Sequence, residues 1–151
     1  MKQFTLPLQK DADRPIIYVS SQPQIVGLLD TGAVFPVWIQ EESLLVTLGG
    51  TLYRENVPFG GFGGMTTGNM YELPIFCIGE LIYPNFKVIA RQLETPANIL
   101  LPATMFRNLI YEIDDFHHKF NISVPVGQSL VRNVSLRDSN GVLQIFCDSA
   151  E

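Results

Sequence analysis

A chain of 151 residues with 46% hydrophobic residues and a formal net charge of −5 is long enough to bury one core, so we expect a single domain over residues 1–151. The acidic balance, without clustered Lys or Arg, argues against nucleic acid as a partner, because binding phosphates requires clustered cations. No run approaches the roughly 20 apolar residues of a membrane helix, and the N-terminal residues lack the apolar run of a signal peptide. We therefore expect a cytoplasmic protein with no membrane partner.

Short strands separated by turns dominate the pattern along the chain, which predicts an all-β fold. The predicted strands cover residues 4–8, 15–20, 24–29, 51–59, 70–78, 85–93 and 98–101, followed by two hairpins, 109–113 with 120–124 and 130–136 with 142–147. Residues 41–48 predict a short helix, because acidic residues occupy its first turn and two glycines follow it. Pro102 predicts a second short helix, to about Asn108.

The two cysteines, Cys77 and Cys147, lie far apart in apolar, strand-like runs. Such surroundings favour buried free thiols over a disulfide. Reduced thiols agree with the expected cytoplasmic location.

The most informative stretch is an apolar strand, residues 25–29, that ends in Asp30, Thr31, Gly32 and Ala33. A carboxylate at the end of such a strand is poorly solvated, and the glycine lets another backbone approach closely. Two such carboxylates facing each other cannot both ionise, so they share a proton and can serve as acid and base. The chain has this turn once, so a catalytic pair needs a second copy. The alternative is an ordinary turn, since Asp and Gly are turn formers.

A glycine-rich tip follows at residues 59–65, between two predicted strands, and can present backbone groups to a ligand or simply end a hairpin. It is not a P-loop, because Asn69 and Met70 stand where Lys and Ser or Thr belong. The residues of this tip that we take as candidates for substrate binding are Gly60, Gly61, Phe62, Gly63 and Gly64.

With a third segment, an apolar strand that enters a helix at residues 99–106, the chain resembles the retropepsin-like aspartic proteases, in particular members of the bacterial, cytoplasmic type. The three matching segments are 28–33, 59–65 and 99–106, and the resemblance spans about residues 15–124. Two departures are visible. Pro102 stands where the family usually has Gly, and Val34 with Phe35 stand where small polar or acidic residues are common.

The resemblance implies a closed β-barrel with a flap hairpin, one or two short helices and an additional C-terminal hairpin at about 130–147. It implies a homodimeric endopeptidase without metal or cofactor, in which Asp30, Thr31 and Gly32 are the catalytic residues. Asp30 of each subunit would hold a water, Thr31 would bond across the dimer axis, and the flap would close over an extended peptide or protein substrate. Further substrate-binding residues would be Ala33, Val34, Ile99, Leu101 and Met105.

Two other functions compete with this one. The same fold could serve as a non-catalytic dimeric β-barrel that binds other proteins. A metal-dependent hydrolase using His117 and His118 with Asp114 and Asp115 is disfavoured, because adjacent histidines on a turn point in different directions.

Overall fold

The alternation of apolar and polar residues, interrupted by turn-forming residues, produces a chain built mostly of strands. The computed structural model describes residues 1–21, 23–61, 64–139 and 142–150. In this part of the chain the strands are β1 (Lys2–Pro7), β2 (Ile16–Ser21), β3 (Gln24–Asp30), β4 (Val37–Trp38), β5 (Thr51–Gly61), β6 (Gly64–Ile78), β7 (Leu81–Ala90), β8 (Ile99–Pro102), β9 (Ile110–Asp114), β10 (Lys119–Val124), β11 (Arg132–Ser139) and β12 (Val142–Ser149).

The first predicted helix is confirmed, and the second is corrected. Helix α1 (Glu42–Thr47) ends where the Gly50 N–H donates to the Leu45 carbonyl at 2.8 Å. After β8 the chain forms only a four-residue 3-10 helix, Ala103–Phe106. The predicted extension to Asn108 is wrong, because Asn108 takes a φ of +65°, which a right-handed helix cannot accommodate.

The described strands form three sheets, which confirms the mostly β fold. The largest sheet has the order β2-β3-β8-β4-β7-β6-β5, a second has the order β1-β10-β9, and β11 pairs with β12. Within the largest sheet β3 runs parallel to β8, and β4 runs parallel to β7 and antiparallel to β8. Strands β2 and β5 are its two edges in the described residues, so closure into a barrel stays a prediction.

The two parallel strands β3 and β8 pack closely at the centre of the fold. A Cβ atom at Gly27 would lie 2.5 Å from Leu101 Cδ1, so a larger residue here would require the buried Leu101 side chain to shift. Asn98 joins the same strands, because its N–H donates to the Val26 carbonyl and its side-chain oxygen accepts from the Val26 N–H, both at 2.8 Å. These contacts hold the first half of β3 against β8 and the residue before it.

The C-terminal hairpin, β11 and β12, belongs to the core. Ile145 and Cys147 of β12 are fully buried, and Val131, just before β11, forms a parallel bridge with Ile82. Both cysteines are free, with Cys147 buried and Cys77 half-buried. Burial raises the pKa of the Cys147 thiol to about 12, so this thiol is an inert packing group.

Among the described residues, neither helix combines the length and the apolar character needed to cross a bilayer.

Candidate active site

Asp30 is the last residue of β3 and lies opposite Pro102, the last residue of the parallel strand β8. Its side chain is 16% exposed, so the carboxylate is partly withdrawn from water and still reachable. Pro102 is in extended conformation there, with φ −74° and ψ 148°. The proline that departs from the family pattern thus continues the strand beside Asp30 without disturbing the turn.

The turn after Asp30 holds the carboxylate from one side. The Gly32 N–H donates to Asp30 Oδ1 at 3.0 Å, and the Ala33 N–H donates to the Asp30 carbonyl at 3.1 Å. The other carboxylate oxygen, Oδ2, lies 3.8 Å from Nη2 of Arg14, whose side chain is 51% exposed. A long pairing with an exposed arginine is weak, so Oδ2 can take another partner.

Thr31, which lies between Asp30 and Gly32, is directed outward. It is exposed, and its hydroxyl makes no hydrogen bond with any residue in the described part of the chain. The turn therefore offers this hydroxyl, beside the half-buried Asp30 carboxylate, for a hydrogen bond with another molecule.

A cavity of about 390 Å³ opens over the turn. Its wall combines the turn, the hairpin of β5 and β6, and the segment that follows β7, with one residue each from β4 and β8. The lining residues are Asp30, Gly32, Ala33, Val34, Phe35, Val37, Phe59, Gly60, Thr66, Arg91, Leu93 and Leu100. The geometry therefore joins the two motifs that the sequence singled out.

Three of the expected pocket residues do not line this cavity. Ile99, Leu101 and Met105 are 0% exposed and lie in the core. Leu100 lines the cavity instead, because successive side chains of a strand point to opposite faces. Ile99 and Leu101 thus lie on the opposite face of β8 from Leu100, and the part of these residues and Met105 in substrate binding stays a prediction.

The hairpin tip is described only in part. Gly60 lines the cavity, and Gly61 pairs with Gly64 at the end of the hairpin. Phe62 and Gly63 lie outside the described residues.

Several cavity residues carried no signal that identified them in the sequence. Phe59 lies in the glycine-rich segment, and Phe35 follows the turn, but both have the apolar character of core residues. Arg91 and Leu93 follow a strand without any motif. The residues missed are Phe35, Val37, Phe59, Thr66, Arg91, Leu93 and Leu100.

The base of the hairpin is tied to α1 by a polar network. The Tyr71 hydroxyl and the Asn69 amide both donate to Glu42 Oε2, the latter at 3.1 Å, and the Asn56 N–H donates to Asn69 Oδ1 at 3.2 Å. The hydrogen bond to Glu42, with burial, raises the pKa of Tyr71 to about 12. The hairpin therefore has a fixed base below the cavity.

The C-terminal hairpin supports the turn from behind. The Ile145 N–H of β12 donates to the Val34 carbonyl at 2.9 Å. Nearby, the fully buried Arg132 donates to the carbonyls of Arg107 at 2.6 Å, Ser129 at 3.1 Å and Cys147 at 3.4 Å. These bonds fasten the hairpin to the loop after the 3-10 helix.

Neither His117 nor His118 lines the cavity. His117 Nδ1 bonds Asp114 Oδ2 at 2.7 Å, and this hydrogen bond lowers the pKa of Asp114. His118 occupies a turn position with a φ of +56°. Across the described ranges, no three His, Cys, Asp or Glu side chains are arranged to hold a metal ion.

No family model and no curated protein matches the chain. Among solved structures, the chain is similar to the crystal structure of a retropepsin-like aspartic protease from Rickettsia conorii. The two superpose with a TM-score of 0.53 at 15% sequence identity, over 80% of this chain and 89% of that chain. The chain therefore has the fold of a retropepsin-like aspartic protease.

Proposed function

We propose that this protein is an aspartic endopeptidase that acts as a homodimer, with one Asp30 from each subunit. The observation that carries the proposal is the cavity in which the Asp30 carboxylate meets the β5–β6 hairpin. The fold shared with a retropepsin-like aspartic protease supports it. Two further features support it: within the described part of the chain, the Thr31 hydroxyl has no hydrogen-bond partner, and Asp30 Oδ2 has only Arg14 at 3.8 Å.

In the proposed reaction the two Asp30 carboxyl groups share one proton and hold a water between them. The ionised carboxylate removes a proton from the water as its oxygen attacks the peptide carbonyl carbon. The protonated carboxyl gives its proton to the carbonyl oxygen. In the collapse of the tetrahedral diol, the carboxyl that is now ionised takes a proton from a diol hydroxyl as the C–N bond breaks. The carboxyl that took the water proton gives it to the leaving nitrogen, so the pair again shares one proton.

The other parts of the site have supporting roles in this proposal. Thr31 hydrogen-bonds across the dimer axis, and Gly32 keeps its N–H on Asp30 Oδ1. The hairpin tip, residues 60–64, closes over an extended peptide and pairs with its backbone as a strand does.

We propose that residues 1–151 act as one domain with a barrel-like core. The free thiols of Cys77 and Cys147 support a cytoplasmic location.

The test compares Asp30→Asn with the wild type on a mixture of blocked peptides, with products read by mass spectrometry. We expect cleavage to fall by about 10³-fold or more, because Asn cannot exchange the proton. Asp115→Asn is the matched control, since Asp115 is exposed on a distant turn. Light scattering should give twice the chain mass of 16.9 kDa.

A monomer that cleaves peptides, or an Asp30→Asn variant with full activity, would contradict the proposal. A dimer that binds peptides without cleaving them would favour the second candidate, a non-catalytic interaction module of the same fold. The observation on its side is Arg14, whose guanidinium Nη2 lies 3.8 Å from Asp30 Oδ2 within the same protomer.

A further inference from the structure

Arg91 is a cation of the cavity lining that has no partner among the described residues. Arg91 lines the cavity and is exposed. Its guanidinium makes no hydrogen bond and no ion pair with the residues that the structure describes. Asp30, the acidic residue of the described lining, has its oxygens directed at Gly32 and Arg14. The positive charge of Arg91 is therefore available to a ligand.

The backbone that carries Arg91 is held in place. The Arg91 N–H donates to the Trp38 carbonyl at 2.9 Å, and the Leu93 N–H donates to the Ile39 carbonyl at 3.0 Å. Trp38 and Ile39 are 3% and 0% exposed, so these acceptors belong to the core. Binding a ligand then orders only the side chain of Arg91, which keeps the entropic cost low.

The residues that line the cavity around Arg91 indicate which chemical class of ligand it binds. Apart from Asp30, Arg91 and Thr66, the described lining consists of glycine and apolar side chains. A guanidinium in such a wall binds a carboxylate through two parallel hydrogen bonds. The chain as a whole carries a net charge of −5, so attraction of an acidic ligand depends on this local cation and not on the overall field.

We propose that Arg91 is a specificity-determining residue that recognises a carboxylate of the peptide substrate close to the bond that Asp30 cleaves. This inference rests on the proposed peptidase function. The carboxylate belongs either to an Asp or Glu side chain or to a free peptide C-terminus, and both offer the same two oxygens. Neighbouring substrate side chains are apolar, to match Phe59, Leu93 and Leu100.

The test uses blocked octapeptide libraries in which one position at a time is fixed as Glu, Gln or Lys and the others are randomised. A parallel set compares a free C-terminal carboxylate with a C-terminal amide. For the wild type we expect about tenfold faster cleavage of the Glu library at one position, or of the free acid. Arg91→Gln should abolish that preference, and Arg91→Glu should reverse it toward Lys. Arg137→Gln, on the exposed part of β11, should leave it intact.

Binding is measured in parallel, by fluorescence anisotropy with labelled libraries and the full chain carrying Asp30→Asn. We expect the binding measurements to show the same preference for the carboxylate, and the same loss of that preference when Arg91 is replaced. Cleavage without a carboxylate preference, or a preference that survives Arg91→Gln, overturns the inference and leaves the peptidase standing. Absence of cleavage with Arg91-dependent binding of the acidic libraries overturns the peptidase and supports the recognition. Absence of both cleavage and Arg91-dependent binding overturns the peptidase function and the carboxylate recognition alike.

Discussion

The Asp30 turn and the C-terminal hairpin differ in how their polar groups find partners. Arg132 in the hairpin is fully buried and donates to three backbone carbonyls of its own chain. At the turn, Thr31 has no hydrogen-bond partner in the described residues, and Asp30 Oδ2 has only Arg14 at 3.8 Å. Arg132 thus finds its acceptors within one protomer, whereas the polar groups of the turn remain open to another molecule. This difference separates a position that stabilises the fold from positions that can bind: replacing Arg132 should destabilise the protein, and replacing Thr31 should not.

The largest effect on stability is expected from Arg132→Ala. It removes a fully buried side chain and its hydrogen bonds to three backbone carbonyls, of which the bond to Cys147 is buried, so we expect the free energy of unfolding to fall by about 3 kcal/mol or more. Urea unfolding measures this change. Arg137→Ala is the control, because Arg137 lies exposed over the Phe146 ring, and should cost about 1 kcal/mol or less. Equal effects of the two variants would show that burial of Arg132 does not stabilise the hairpin.

A smaller effect is expected from Tyr71→Phe at the base of the β5–β6 hairpin. Loss of the hydrogen bond to Glu42 should lower the free energy of unfolding by about 1–2 kcal/mol. The folded protein keeps the Tyr71 proton to a pKa of about 12, against 10.0 for an unperturbed tyrosine. This contribution is thus complete below pH 10 and is lost as the pH rises toward 12. Stability of the wild type should fall more steeply than that of Tyr71→Phe above about pH 9, and parallel curves would refute the coupling.

The smallest effect on the protomer is expected from Thr31→Val, which removes the exposed hydroxyl and keeps the shape. Protomer stability should change by less than about 0.5 kcal/mol, whereas the dimer dissociation constant should rise about tenfold. Urea unfolding at several protein concentrations, with sedimentation, separates the two quantities. Thr51→Val, at an exposed position of β5, should change neither. A less stable protomer with unchanged dimerisation would mean that the turn is not open.

The sequence predicted those parts of the molecule that local patterns determine. The strand before Asp30, helix α1 and the C-terminal hairpin each carry a local signal, and each is present. Strand β4 was not predicted, because a strand of two residues is too short to show an alternating pattern. Val37–Trp38 is a strand only through its pairing with β7 and β8.

The candidate site was predicted where it depends on a motif and missed where it depends on distant contacts. Asp30, Val34 and Gly60 meet in one cavity, as their order in the motifs indicated. Whether Leu100 or its neighbours line the cavity depends on which face of β8 packs against the core. Arg132 reads as an ordinary surface cation in the sequence, and only tertiary packing makes it a buried donor.

The hydrogen bond from Ile145 to Val34 has a consequence for biosynthesis. Val34 follows the Asp30 turn closely, and its carbonyl is bonded by a strand that the ribosome makes much later than the turn. A nascent chain that has already exposed Asp30 therefore lacks the strand that supports the following loop. Because this support waits for β12, the wall of the cavity beside Asp30 is completed only near the end of synthesis.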